Sequence, residues 1–320
     1  MPVVLALPQF FAREMNPILF LNLSSKILRP GWQTIQLTAI VLYCFSIIIL
    51  LFPDSASARG QKAGFWELWG DGKAEMAVFD LKTPRYGELR KGSATLITVT
   101  ETFLEKEKVK GSGSSSSAGN LPVMKFAQIR DYQTGVYDYN LMSTSFIALQ
   151  ARGGRPSGAP IKISFGAQEW CGHVYHQLLF DDQQVESELH SYFEGEADQE
   201  KSFSAPVEAV AEDSLIFHSR GLSRKFSDGE DITILGSLET ARLKHQPLKV
   251  LKAKVKIGEK DGARIHSYSY DSSWLNVFTE KEWPHKVLGW EKSNGEKATL
   301  KSTVRKKYWE MNKNSFAPLS

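Results

Sequence analysis

Hydrophobic and polar residues alternate with a period of two along much of residues 59–320. The clearest examples are residues 161–165, which read Ile-Lys-Ile-Ser-Phe, and residues 253–257, where apolar side chains alternate with lysine. A period of two places successive side chains on opposite faces of a β-strand, so each segment has one face for a core and one for water. Because that arrangement is typical of antiparallel sheets, the pattern predicts an all-β fold.

Short turn sequences separate the alternating segments. Asp-Gly at residues 261–262 and Asn-Gly at residues 294–295 supply the positive φ angles that tight hairpins need. Successive hairpins join neighbouring strands, so the C-terminal part of the chain is predicted to be an antiparallel meander. Its five predicted strands span residues 248–257, 263–270, 275–279, 286–290 and 298–309.

Two segments depart from the strand pattern. Residues 206–217 begin with proline and carry early acidic residues, which is typical of the first turn of a helix. Residues 110–120 are mainly glycine and serine, so they bury little apolar surface and are predicted to form a flexible loop. We therefore predict an all-β domain over residues 59–320, an antiparallel meander curved into a barrel or half-barrel with one short helix.

The N-terminal segment has the pattern of an export signal. Residues 37–52 form an uncharged and almost wholly apolar run that follows three basic residues. An Ala-x-Ala cleavage site comes next at residues 56–58, so residues 1–58 are interpreted as a signal peptide. The alternative is an uncleaved signal anchor, in which case this segment alone contacts the membrane. Both interpretations predict an exported protein of the periplasm or outer envelope.

The charge balance and the cysteine count exclude several classes of protein. Lysine and arginine number 39 against 36 aspartate and glutamate residues, a formal net charge of +3. That balance is not typical of nucleic-acid-binding proteins, so no nucleic-acid partner is predicted. The chain has 2 cysteines, too few for a disulfide framework or for a zinc site of four cysteines. No cofactor is predicted.

The densest polar cluster spans residues 168–176, which read Gln-Glu-Trp-Cys-Gly-His-Val-Tyr-His. On a continuous strand, Cys171, His173 and Tyr175 share one face. Cys171 and His173 are therefore weak candidates for a metal site, or for a thiol nucleophile with a histidine base. The competing interpretation, which we expect, is a central strand that buries both residues for structural reasons.

Glu75, Glu88 and Glu101 are a second weak set of catalytic candidates. Carboxylates that project from neighbouring strands into one cavity can hydrolyse a glycosidic bond when they are a few ångströms apart. The sequence does not show that these three side chains meet. Glu88 lies between Arg85 and Arg90, which favours an ion pair as the simpler interpretation.

Aromatic residues are dense in the predicted C-terminal meander. Trp274, Trp283 and Trp290 are candidate ligand-binding residues, either as stacking platforms for a sugar or as apolar walls for a lipid. Burial in the core is the alternative for each of them, because large aromatic side chains supply much of the apolar surface that a core needs.

Several short motifs resemble an uncharacterised family of exported bacterial proteins. They are Lys-Ala-Glu at residues 73–75, Arg-Tyr-Gly-Glu-Leu-Arg at 85–90, Val-Thr-Glu-Thr-Phe at 99–103, Gln-Glu-Trp-Cys-Gly-His at 168–173 and Ser-Tyr-Phe-Glu-Gly-Glu at 191–196. Some members carry the label "septum formation inhibitor Maf", but this chain has no glycine loop for binding phosphate. A looser likeness, through export and meander topology, is to periplasmic lipoprotein carriers with half-barrel folds. The resemblance implies a family and transfers no catalytic residue.

Three functions are consistent with these patterns. The first, which we expect, is an exported protein that binds an apolar or lipid-like ligand without catalysis. The second is a hydrolase acting on a polymer of the cell envelope, and the third is a structural or interaction module. A long apolar cavity favours the first, two carboxylates facing across a cleft favour the second, and a filled core favours the third.

Overall fold

The computed structural model describes residues 64–112 and 119–319. The predicted export signal, residues 1–58, lies outside the described residues, as do residues 113–118 of the predicted flexible loop. In the part of the chain that is described, no helix has the length and apolar character needed to cross a lipid bilayer.

Within the described residues, 16 strands form a single sheet. The first nine are β1 (Ala74–Arg85), β2 (Glu88–Leu104), β3 (Val109–Lys110), β4 (Asn120–Thr134), β5 (Tyr137–Ala148), β6 (Pro160–Glu169), β7 (Gly172–Asp181), β8 (Gln184–Ser191) and β9 (Gln199–Ser204). The others are β10 (Val210–Ala211), β11 (Asp231–Leu235), β12 (Val250–Lys260), β13 (Ala263–Tyr270), β14 (Ser273–Thr279), β15 (Val287–Lys292) and β16 (Lys297–Lys306). All strand pairings are antiparallel except that of β10 with β11, so the predicted all-β antiparallel fold is confirmed.

The order of the strands shows that the sheet curls around its own interior. β1 pairs with both β2 and β16, and from there the two halves of the chain extend as meanders in opposite directions. The edges of the sheet are β9 and β10, which are joined only by residues 205–209. Since five extended residues span no more than about 20 Å, the two edges approach each other at this point. They do not pair, so the sheet is curved and open, as a half-barrel is.

Three short helices accompany the sheet in the described residues: α1 (residues 64–69), α2 (Leu215–His218) and α3 (Leu238–Lys244). The predicted helix over residues 206–217 was wrong in its first half, because Val210 and Ala211 pair with β11 instead. Helices α1 and α3 were not predicted. Neither is longer than two turns, and a helical repeat is not visible in so few residues.

The predicted C-terminal meander corresponds to β12 through β16. Each predicted strand overlaps the observed one, and β13 has the predicted bounds. The main difference is at the C-terminal end, where β16 stops at Lys306 and a 3-10 turn (Tyr308–Glu310) follows. The alternation of apolar and polar residues therefore located these strands well.

The segment between β9 and β11 fills the interior of the curved sheet. A 3-10 turn (Glu212–Ser214) leads into α2, and all four residues of α2 are buried. The ring of Phe217 lies 5.8 Å from the ring of Phe126 on β4, measured between centroids. Side chains therefore occupy the interior between β4 and α2.

A buried ionic network connects β4 with the C-terminal half of the sheet. Nη1 of Arg130 lies 2.8 Å from Oε1 of Glu239 and 3.0 Å from Oε2 of Glu296. Burial by itself would raise the pKa of Glu296, but Arg130 and Lys292 hold that pKa at about 2. Because the folded pKa lies below the unfolded one, this ionised carboxylate stabilises the fold at neutral pH, and the contribution is lost as the pH falls toward 2.

Candidate functional site

A pocket of about 330 Å³ lies between the sheet and helix α3, close to the edge strand β9. Its floor is the inner face of β7, β8 and β9, and its roof is α3 with the loop that follows. The lining comprises Val174, His176, Ser187, Leu189, Gly195, Glu196, Gln199, Lys201, Phe203, Ala241, Arg242, His245, Gln246, Pro247 and Leu248. Its volume is in the range of small-molecule sites.

The alternation along β7 explains why the floor is mixed in character. Val174, His176 and Leu178 face inward, whereas His173 and Tyr175 face solvent, which is the division that the sequence predicts for this segment. Ser187 on β8 and Lys201 on β9 are directly opposite each other in the strand pairing and also line the pocket. The inner face of this sheet edge is therefore partly polar, unlike the interior around α2.

The first turn of α3 is held in place by a buried carboxylate. Asp213 accepts hydrogen bonds from the hydroxyl of Ser237 at 2.7 Å and from the N–H of Leu238 at 3.0 Å. Ser237 is the N-cap of α3, and its hydroxyl also accepts the N–H of Thr240. Burial raises the pKa of Asp213 to about 6, although both hydrogen bonds act in the opposite direction. This contact fixes the roof of the pocket to the interior segment.

Arg242 fixes the second turn of α3 to the sheet. Its Nη2 lies 2.8 Å from Oε1 of Glu169, and its guanidinium lies 3.8 Å from the ring centroid of Phe193. Its Nη1 lies 3.3 Å from Nε2 of His245, whose Nδ1 contacts Glu196. The Nε–H is buried and has no hydrogen-bond acceptor among the described residues. Arg242 is therefore a buried cation that its protein partners hold in place.

A histidine and a serine form a hydrogen-bonded pair on the floor. Nε2 of His176 lies 2.9 Å from Oγ of Ser187. Burial, and then the nearby charge of Lys201, lowers the pKa of His176 to about 4, so its ring is neutral at physiological pH. In a catalytic triad, a carboxylate orients the histidine and would raise its pKa. The charge that acts on His176 is a cation, so the pair can hydrogen-bond a ligand but is not an activated nucleophile.

Cys171 and His173 lie on the surface, and the prediction that a central strand buries them was wrong. Glu169 pairs with Gly172 across β6 and β7, so residues 170–171 form a two-residue turn, and both Cys171 and His173 are exposed. Gly172 permits this turn because its φ is 152° and its α-carbon lies against the ring of Tyr192, where a Cβ would overlap. The described residues contain no group of three or more metal-ligating side chains close enough to hold an ion.

Glu75, Glu88 and Glu101 are not brought together. Glu75 is buried and lies 2.6 Å from Nη1 of Arg220, whereas Glu88 pairs with a neighbouring arginine at the surface. Thr98 is opposite Glu75 in the pairing of β1 with β2, and Glu101 is three residues further along β2. Since a three-residue step reverses the face, Glu101 points to the other side of the sheet, where it pairs with lysines. These carboxylates hold structural ion pairs.

The three candidate tryptophans do not form one platform. Trp290 is fully buried, and its indole N–H donates a hydrogen bond to Glu296. Trp274 lies near the start of β14 and borders a shallow depression, whereas Trp283 lies beyond the end of that strand. Because β14 is about 20 Å long, the two exposed rings are too far apart to contact one small ligand.

His218, at the end of α2, is a buried histidine without hydrogen-bond partners for either ring nitrogen among the described residues. Burial is the main cause that lowers the pKa of His218 to about 3, and the charge of Arg224 adds to this effect. In the unfolded chain, histidine has a pKa of about 6.5. The neutral ring therefore contributes fully to stability above that pH, and the contribution is lost as the pH falls toward 3.

We expect the variant His218→Leu to be less sensitive to acid than the wild type, because leucine has no proton to take up on unfolding. The melting temperature, followed by circular dichroism, should fall less between about pH 7 and about pH 5 in the variant. The matched control is His173→Gln, at an exposed histidine, which should keep the wild-type decrease. Equal decreases in the wild type and His218→Leu would contradict the expectation.

Comparisons of the chain with protein-family models, with curated proteins and with solved structures give no match. The resemblance to an exported bacterial family therefore stays a prediction.

Sequence reasoning missed most of this pocket. His176 belongs to the polar cluster at residues 168–176, but the predicted candidates were Cys171 and His173, which lie on the outer side of the same hairpin. The signal that points inward is the alternation itself, because it places His176 on the face of Val174. Nothing in the sequence indicates that α3, more than 60 residues away, lies over that face.

Proposed function

We propose that the protein binds a small apolar or lipid-like ligand, without catalysis, in the pocket between β7–β9 and α3. The observation that supports this function is the pocket of about 330 Å³, whose lining is partly apolar and partly polar. Val174, Leu189, Phe203 and Leu248 supply apolar walls, and polar side chains make up much of the remaining lining. Small-molecule sites combine apolar walls with polar groups that orient the ligand.

The volume limits the ligand to one short chain or a molecule of similar size. Burial of one methylene group contributes about 0.8 kcal/mol, so seven of them contribute roughly 6 kcal/mol. That free energy corresponds to a dissociation constant of about 0.04 mM before the cost of ordering the ligand. Tighter binding needs polar contacts in addition to the apolar walls.

The alternative of a hydrolase has less support. The candidate glutamates are separated, and the hydrogen-bonded pair of His176 and Ser187 is influenced by a cation where a catalytic pair needs a carboxylate. With the export signal expected at residues 1–58, the ligand of a binding protein would come from the cell envelope.

Native mass spectrometry of the full protein, purified from its own envelope, tests this proposal. We expect a retained small ligand and displaceable binding of an apolar fluorescent probe.

Ala241→Trp should reduce probe binding at least tenfold, because Ala241 lies in the roof and an indole there would fill the pocket. The control is His173→Trp, on the outer face of β7, which should bind as the wild type does. Absence of both ligand and probe binding, or equal binding by the two variants, would overturn the proposal.

A further inference from the structure

We propose that one rim of the curved sheet docks on the surface of a lipid bilayer. This aromatic rim consists of the turns that join β1 to β2, β4 to β5 and β6 to β7, with the first residue of the loop between β8 and β9. Because successive hairpins return the chain to the same end of an antiparallel sheet, these turns lie side by side. The inference goes beyond the proposed function and does not depend on the ligand that the pocket binds.

The most exposed apolar side chains of the described residues are all at this rim. They are Tyr86, Leu89, Val136, Trp170 and Tyr192, each between 57% and 80% exposed. No other large hydrophobic side chain that the structure describes is more than 46% exposed. Single exposed apolar residues are ordinary, but a set confined to one end of a sheet marks a surface that contacts another molecule.

The turns at the two ends of these strands differ in charge. At the aromatic rim, the two-residue turns are Tyr-Gly (86–87), Gly-Val (135–136) and Trp-Cys (170–171), none of which is charged. At the opposite end, the turn after β2 reads Glu-Lys-Glu-Lys (105–108), and the turn between β7 and β8 is Asp-Gln (182–183). Charged turns favour water, so the aromatic rim is the end suited to a less polar medium.

Tyr86 occupies a position that is unfavourable for an aromatic residue. It begins the turn between β1 and β2 with a φ of 54°, and Gly87 follows with a φ of 77°. Asparagine or glycine is usual at the first of these positions, because other side chains crowd the backbone at positive φ. The hydroxyl of Tyr86 contacts that of Tyr139 at 2.6 Å, yet more than half of Tyr86 stays exposed. A strained and exposed ring points to a contact outside the fold.

The chemistry and spacing of these side chains favour a lipid surface over the face of another protein. Tyrosine and tryptophan combine an apolar ring with a polar O–H or N–H group, so they are enriched at the level of the lipid headgroups. Neighbouring turns of the rim are two strand spacings apart, about 10 Å. A stable interface with a protein needs about 800 Å² of continuous surface on each partner, whereas fluid lipids close around each separate turn.

The proposed pocket lies at the same rim. Its lining includes Gly195 and Glu196 in the loop between β8 and β9, and residues 246–248 just before β12. In the sheet order, β8 ends and β12 begins at the end where β1 meets β2. Docking of the aromatic rim would therefore bring the pocket close to lipid.

An environment-sensitive fluorophore on Cys171 tests this inference. Cys171 is exposed in the turn between β6 and β7, and Cys44→Ser leaves it as the single thiol of the full chain. On addition of phosphatidylcholine vesicles, we expect the emission to shift to shorter wavelength and a spin-labelled lipid to quench it. The control has the fluorophore at Gln183→Cys in the opposite turn, with both native cysteines replaced by serine, and should show neither effect. Because the signal is local, membrane contact through residues 1–58 does not produce it.

Removal of exposed apolar side chains from the rim should weaken docking. With the fluorophore on Cys171, Val136→Ser combined with Tyr192→Ser should raise the lipid concentration for the half-maximal response roughly tenfold, because interfacial binding scales with the apolar area buried. The matched control is Val109→Ser combined with Trp309→Ser, at two exposed residues away from the rim, and it should leave that concentration unchanged.

Equal responses from the fluorophore at the two ends, or no response at either, would overturn the inference. An unchanged response of Val136→Ser with Tyr192→Ser would do the same. If the emission at Cys171 shifts as the protein is concentrated without vesicles, and vesicles add nothing, a second copy of the chain covers the rim and the lipid surface is wrong. Each of these outcomes leaves the binding of the apolar probe in the pocket as a separate measurement.

Discussion

Replacement of Arg130 by methionine is expected to lower the free energy of unfolding by about 3–5 kcal/mol. Arg130 lies between the carboxylates of Glu239 and Glu296, whose side chains are 13% and 2% exposed. Methionine keeps much of the length and apolar character of the arginine stem but removes the charge. Two buried carboxylates would then face each other without their shared cation, which is a costly arrangement in a medium of low polarity.

A part of that loss is recovered by protonation. The pKa of Glu296 is about 2 in the wild type chiefly because Arg130 and Lys292 oppose the effect of burial. Without Arg130, burial would raise that pKa, and the carboxylate would take up a proton at a higher pH. We therefore expect the destabilisation by Arg130→Met to be larger at neutral pH than in mild acid.

Urea unfolding followed by circular dichroism measures this effect. The matched control is Lys281→Met, which breaks the ion pair with Glu259 in which both side chains are well exposed. Exposed pairs of this kind contribute about 0–1 kcal/mol, so the control should unfold close to the wild type. A loss for Arg130→Met no larger than that of the control would show that the network does not stabilise the fold.

Local patterns in the sequence suffice to locate the regular strands. β13 was predicted with its observed bounds, because its alternation is regular and turns flank it. The error at Cys171 has a local cause too. Glu169 and Gly172 are opposite each other and share a face, whereas residues three apart on one continuous strand lie on opposite faces. Whether Cys171 is inside a strand or at its end depends on the pairing of Glu169 with Gly172, which the sequence alone does not reveal.

The pocket depends on contacts between distant parts of the chain. The pairing of Ser187 with Lys201 follows from the register of β8 and β9, and the position of α3 follows from Asp213 and Arg130. Arg130 contacts residues 109 and 166 positions away along the chain. Such contacts arise from the way in which the sheet curls, so no window of sequence contains them. The sequence predicted the strands and could not predict what their inner faces meet.

Truncation of Phe217 to alanine is expected to destabilise the protein by about 3–5 kcal/mol, the range found for large aromatic side chains in cores. Phe217 is completely buried and packs on Phe126 of β4. It belongs to α2, which has four residues and is far too short to be stable on its own. The position of α2 inside the sheet therefore depends on packing, and the loss of this ring would leave a cavity between the two halves of the sheet.

The matched control for Phe217→Ala is Trp283→Ala, at a side chain that is 39% exposed and lies outside the sheet. Removal of that larger ring should cost less, because much of it contacts water in the folded state.

The variant Phe217→Ala also distinguishes a filled interior from one that holds a ligand. If the interior around α2 were the binding cavity of a lipid carrier, extra space at Phe217 would be tolerated and would strengthen binding of the apolar probe. If the ligand binds between β7–β9 and α3, as we propose, Phe217→Ala should lose stability without any gain in probe binding.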